Sequence, residues 1–134
     1  MSLESIMNIA ASGMSAQTIR LNVTASNLAN ANTASGSEAE AYHAKEPVFS
    51  TIFDGEKAGG VEVTQIKEST MPAQARYEPG NSQADEKGNV YMPNVNTVDE
   101  MANMMSASTE YKTNIDVMNT SKNLMIKTLG LLEN

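Results

Sequence analysis

Residues 97–129 read TVDEMANMMSASTEYKTNIDVMNTSKNLMIKTL, thirty-three residues with no proline and no glycine. Val98, Met101, Met105, Ser108, Tyr111, Ile115, Met118, Lys122, Met125, Leu129 and Leu132 follow a three-to-four spacing, which places them along one face of a helix. Thr97-Val98-Asp99-Glu100 has the form of a capping box, with Thr97 as the cap, Glu100 reaching back and both acids favouring the positive helix end. At about 1.5 Å per residue such a helix is near 50 Å long, more than the usual width of a globule of this chain length. It therefore needs cover along most of its length. Whether this Met/Leu stripe is core or interface stays open, because the rest of the chain offers little to cover it.

A second helix is expected at the other end. From Leu3 to about Ala31 there is no proline, and the only glycine is Gly13. Leu3, Ile6, Ala10, Gly13/Met14, Gln17, Leu21 and Leu28 share one face, thin and rich in small residues. Ser2 is a suitable N-cap, and Asn27, Asn30 and Asn32 cluster at the expected end, where asparagine tolerates the left-handed conformation that closes helices.

Between the helices the pattern changes. Residues 34–40 are small and polar and read as a mobile connection. Pro47–Phe53 alternates, with Phe49, Thr51 and Phe53 on one face, and Val61–Ile66 is its natural partner strand. Ala73–Tyr77 is a candidate third strand, and Glu78–Asn81 and Lys87–Asn89 are turns. The expected fold is mainly α: two long terminal helices packed as a coiled-coil-like pair around a small β-rich or irregular middle. The chain divides into residues 1–36, 37–96 and 97–134.

The composition of the 134 residues excludes several function classes. Residues 37–90 hold ten acids and five bases, residues 1–36 carry only Glu4 and Arg20, and the total charge is −7. No basic cluster occurs, which removes nucleic acid as a partner. The chain has no cysteine and one histidine, His43, read as a surface loop residue, so no catalytic, cofactor or metal residue is expected. The acid pairs Glu38/Glu40, Asp85/Glu86 and Asp99/Glu100 read as solvated loop or cap charges, since paired catalytic carboxylates need a cleft with apolar walls. Met1–Ile9 lacks the basic and continuous apolar regions of a secretory signal, and no run reaches the roughly 18 apolar residues of a transmembrane segment. Only 4% of residues are aromatic while ten are Met, a mix suited to helix–helix contact more than to a rigid core.

Both ends resemble one family. Residues 22–33, NVTASNLANANT, are similar to the signature near the N-terminus of the flagellar rod and hook axial proteins. Tyr91–Asn96, followed by Glu100-Met101 and Glu110–Ile115, is similar to that family's C-terminal signature. The short chain, Tyr77–Asn81 and Leu124–Leu129 resemble its proximal-rod C type. One departure is that five residues separate Ser35-Gly36 from Tyr42, where many axial proteins place Thr, Gly and Tyr together directly after the Asn-rich turn.

The resemblance implies a non-enzymatic subunit of the periplasmic rod, exported through the flagellum's own export apparatus. The implied partners are other copies, the proximal rod proteins of B and F type, the distal rod protein and the basal-body adaptor. The assembly residues expected on that basis are Leu3, Ile6, Ala10, Met14, Leu21, Asn27, Leu28, Asn30 and Asn32, with Met101, Met105, Tyr111, Ile115, Met118, Met125 and Leu129 on the second helix. The alternatives are a sister rod or hook subunit and a cytoplasmic helical adaptor or chaperone.

Overall fold

The computed structural model describes residues 2–55 and 57–132. Its element order is α1 (Leu3–Asn30), a 3-10 turn (Glu38–Glu40), β1 (Lys45–Asp54), β2 (Lys57–Glu68), β3 (Gln74–Tyr77), β4 (Asn89–Met92) and α2 (Thr97–Leu132). The architecture is mainly helical, with two long terminal helices and a small antiparallel middle. At about 1.5 Å per residue α1 is near 42 Å long and α2 near 54 Å.

Ser2 caps α1 as expected, its Oγ accepting the Ser5 N–H at 3.1 Å. The cap of α2 lies one residue earlier than the sequence suggests. Asn96 Oδ1 accepts the N–H groups of Val98 (3.1 Å) and Asp99 (3.4 Å), and Asn96 Nδ2 donates back to Asp99 Oδ2 at 2.7 Å. This is a reciprocal box built from Asn96 and Asp99 instead of Thr97 and Glu100. The end of α1 also departs from expectation. Ala31 stays right-handed (φ −57°, ψ −27°), and among the described residues none but glycine has positive φ. The asparagines there do not close the helix through a left-handed turn; their side chains have other work.

The helices run antiparallel. On α1, Leu3, Ile6, Ala10, Gly13, Gln17, Arg20, Thr24 and Asn27 are half or fully buried, alternately three and four residues apart. On α2 the same rhythm runs through Met104, Ala107, Tyr111, Asn114, Met118, Ser121 and Met125. A seven-residue repeat of this kind is the seam of a coiled-coil-like pair. The face that α2 turns to α1 is therefore not the whole stripe read from the sequence: Met101 and Met105 point elsewhere.

The strands form two separate two-stranded sheets, β1–β2 and β3–β4, instead of one sheet with a third strand. The β1–β2 hairpin pairs Lys45 with Glu68 at its base and carries two register shifts, at Val48/Phe49 and Ile52/Phe53. Such bulges break alternation, and Phe49, Thr51 and Phe53 are all exposed instead of forming a covered face. β4, which the sequence reading missed, buries Val90 and Met92. Ser35 exchanges backbone hydrogen bonds of 2.9 Å with Tyr91 on the far side of β4.

Large side chains hardly contribute to a core. The buried apolar residues among those described are Ala10, Ala16, Val23, Ala31, Ala41, Val90, Met92 and Ala107. The accessible surface is 8998 Å², about one-third more than the ~6,800 Å² expected of a compact monomer of 14.3 kDa. No described helix is long and apolar enough to cross a membrane.

Candidate assembly surface

The seam between the helices is narrow and polar at its centre. Gln17 Nε2 donates to Glu110 Oε2 at 2.6 Å, Arg20 Nη1 lies 3.6 Å from Glu110 Oε1, and Arg20 Nη2 donates to Asn103 Oδ1 at 3.3 Å. Gly13 lies against Asn114: a Cβ at position 13 would come within 2.8 Å of Asn114 Nδ2. Only glycine lets the amide rest on the α1 backbone. Polar contacts at defined spacing fix register but contribute less than apolar burial would, and the Gln17 Oε1 atom is buried without a hydrogen-bond partner. The result is a pair with a set alignment and a modest hold.

The hairpin docks on an adjoining side of α1 at two points. Near the middle, the Val61 N–H donates to Ser12 Oγ at 3.1 Å, and a Cβ on Gly60 would come within 2.7 Å of that oxygen. At the C-terminal end, Asn27 is 1% exposed and all its side-chain bonds leave the helix. Its Nδ2 donates to the Lys45 carbonyl (2.8 Å), and its Oδ1 accepts the Lys45 N–H (2.9 Å) and the Tyr42 hydroxyl (2.8 Å). A primary amide that matches one residue's N–H and C=O together fixes the start of β1 against the end of α1. Thus residues 34–40, expected as a mobile connection, are tied down by the Ser35–Tyr91 bridge, and the stretch that follows is held by buried Ala41 and by Tyr42.

Asp85 is likewise more than a solvated charge. Its Oδ1 accepts the N–H groups of Asn89 (2.8 Å) and Lys87 (2.9 Å), and the Tyr91 hydroxyl donates to its Oδ2 at 3.3 Å. The Asn89 bond leads in lowering the Asp85 carboxyl below its ordinary value, and the Asp85 charge in turn raises Tyr91. Gly88, at φ +81°, completes this turn under Tyr77 and Pro79. Glu78 is lowered by Asn81 first and then by Arg76, with which it pairs. These carboxylates organise loops. Glu38 and Glu40 are exposed, His43 is half-buried ahead of β1, and no group of three or more His, Cys, Asp or Glu that could hold a metal ion occurs among the described residues.

The residues singled out in the sequence fall into two sets. Leu3, Ile6, Ala10, Tyr111, Met118 and Met125 lie on the seam, with Met14, Leu21, Leu28 and Ile115 half-buried on its flanks. Asn27 is the clamp just described, Asn30 Nδ2 donates to the Ser26 carbonyl at 2.8 Å, and Asn32 is exposed. Met101 (57% exposed), Met105 (72%) and Leu129 (57%) face outward, with Val98, Leu124, Ile126 and Leu131 also uncovered. Ser12, Tyr42, Asn96 and Asn114 were missed. Their signal was weak, since a polar residue on a helix seam declares a partner without saying which.

Helical ends, a strand-rich middle and apolar helix surface left open describe a structural subunit that neighbours complete. Comparison with known proteins specifies the class. Residues 7–34 match the family described as flagella basal body rod protein, and residues 86–131 match the flagellar basal body rod FlgEFG protein C-terminal family. Over 132 residues, 98% of each chain, the sequence is 50% identical to the flagellar basal-body rod protein FlgC of Salmonella typhimurium. It is 48% identical to that of Yersinia enterocolitica over the same share, and 32% identical to that of Borreliella burgdorferi over 99% of each chain. The chain belongs to the FlgC family of flagellar basal-body rod proteins. It is a non-enzymatic structural subunit of the proximal rod, located in the flagellar basal body, and assembles with other rod and basal-body components. Matches of this length and type do not favour a sister subunit or a cytoplasmic adaptor.

Proposed function

We propose that the chain polymerises through α1 and α2 into the wall of the proximal rod and carries torque from the motor toward the distal rod and hook. The observation that carries this reading is the uncovered surface. The excess over a compact monomer is about 2,200 Å², and a standard contact takes about 800 Å² from each partner. Two or three neighbours would be needed to cover it. Apolar residues on outward faces of α2 supply the adhesive, and many small packing contacts along two long helices supply stiffness.

In this reading residues 1–36 and 97–134 are assembly segments and residues 37–96 form the outer part of the subunit, pinned to α1 through Asn27 and Ser12. The assembly surface comprises the outward-facing Met101, Met105 and Leu129 with the half-buried flanks Met14, Leu21, Leu28 and Ile115, while Leu3, Ile6, Ala10, Tyr111, Met118 and Met125 join the two helices within one subunit. The neighbours are other copies, the B- and F-type proximal rod proteins, the distal rod protein and the basal-body adaptor, in a periplasmic rod reached through the flagellar export apparatus. Co-fractionation tests the reading. The subunit should remain with detergent-extracted basal bodies through washing, and its loss to the wash with the rods intact would overturn it.

A further inference from the structure

The two ends of α2 differ in charge while sharing exposed apolar side chains. Thr97–Tyr111 contains Asp99, Glu100 and Glu110 and no base; Val117–Leu132 contains Lys122 and Lys127 and no acid. Among the described residues neither lysine forms an ion pair within its own chain. At the first end Val98, Met101 and Met105 are uncovered; at the second Leu124, Ile126, Leu129 and Leu131 are. The last part of the second end also lies beyond the cover of α1. Gly13 rests on Asn114 and Gln17 bonds Glu110; carrying that antiparallel register onward sets Leu3 beside about residue 124, so that about two turns overhang.

We infer that these ends are complementary, and that the acidic apolar first third of α2 receives the basic apolar end of α2 from a second copy. The inference rests on the reading that the chain assembles through its helices and adds which surface meets which. The lysines face the acids, the apolar groups cover one another, and a helix C-terminus approaches a helix N-terminus in the favourable dipole sense. The contact joins two different patches, so it propagates in one direction instead of closing a dimer.

The absence of cysteine makes the test clean. Positions 105 and 129 lie on one helix about 36 Å apart, whereas a disulfide needs Cα atoms within about 7 Å, so a bond between them must join two chains. Full-length Met105→Cys and Leu129→Cys subunits, differently tagged, are mixed under assembly conditions and mildly oxidised. The mixed disulfide should exceed either like-with-like product by at least tenfold, and Lys122→Glu with Lys127→Glu should reduce it about tenfold. Predominant 105–105 or 129–129 bonds would overturn the head-to-tail contact while leaving helix-mediated assembly standing. Efficient rod formation with no cross-link at any of these pairs would likewise overturn the head-to-tail contact, while loss of the subunit from washed basal bodies is the result that would overturn helix-mediated assembly.

Discussion

The two long helices of this subunit have very different surroundings. α1 is flanked by α2 on one side and by the β1–β2 hairpin on another, and it buries Ala10, Gly13, Ala16, Val23, Thr24 and Asn27. α2 is eight residues longer, yet among its described residues only Ala107 and Ser121 are buried. α1 is the spine on which the subunit is built; α2 is joined to it by a polar seam and otherwise open. Helices gain most of their stability from a packed face. On the proposed reading, the difference divides residues that hold the subunit together from residues that hold subunits to each other.

The strongest way to break this division is to place charge on the open side of α2. Met101→Asp with Met105→Asp should abolish incorporation into basal bodies and motility, because burying an unpaired carboxylate costs roughly 3 kcal/mol or more per site. The isolated subunit, where both positions are exposed, should change in stability by no more than about 0.5 kcal/mol. Normal basal bodies from this variant would remove the two methionines from the assembly surface. On the spine the effect should reverse. Asn27→Ala strips the Lys45 backbone of both partners and should cost the monomer about 2–4 kcal/mol, read by denaturant titration of the tyrosine signal. An unchanged midpoint would mean that the hairpin does not depend on this clamp.

The existence of both helices was legible in the sequence because proline is absent and apolar residues recur at helical spacing. The phase of α2 was not. Two interleaved series fit the same rhythm, one through Val98, Met101 and Met105 and one through Met104, Ala107 and Tyr111. The seam itself contains Ala107, Asn114 and Ser121, which carry little apolar signal. The Asn-rich motif marked the family without revealing that Asn27 binds residues 15 and 18 positions ahead, a long-range pairing that no local pattern encodes. β4 escaped notice because it is four residues long and follows a Gly-Asn turn. The Asn96 cap shifts the expected box by a single residue, within the ordinary uncertainty of helix ends.

A smaller effect separates the middle segment from the helices by pH. The Asp85 carboxyl is lowered in the folded chain, so it stabilises its turn above the unfolded value, and that contribution is lost as pH falls through the folded value. Acidification should lower the protection of the Lys87 and Asn89 amides, measured against their intrinsic exchange rates at each pH, and Asp85→Asn should remove this pH dependence of protection. Identical profiles for the two proteins would show that the carboxylate does not hold the turn. The smallest effect belongs to Glu38 and Glu40, both exposed and outside either helix. Their joint replacement by Ala should leave motility near normal, since exposed charges of this kind contribute under about 1 kcal/mol. Loss of function in a variant that still incorporates would give that acidic pair a role the structure does not supply.

The central claim is that neighbours, more than the chain's own core, hold α2 in place. Ordering costs about 1–2 kcal/mol per residue in backbone entropy, and α2 has little of its own burial to offset it. Amide hydrogen exchange, measured on dilute subunit shown to be monomeric and again on assembled rods, addresses this most directly. Exchange through Val98–Leu129 should be fast in the monomer and slowed by at least a hundredfold in the rod, with a smaller change at Val90 and Met92. Slow exchange along α2 in the monomer, unaltered by assembly, would contradict the claim and show that the helix is stabilised within a single chain.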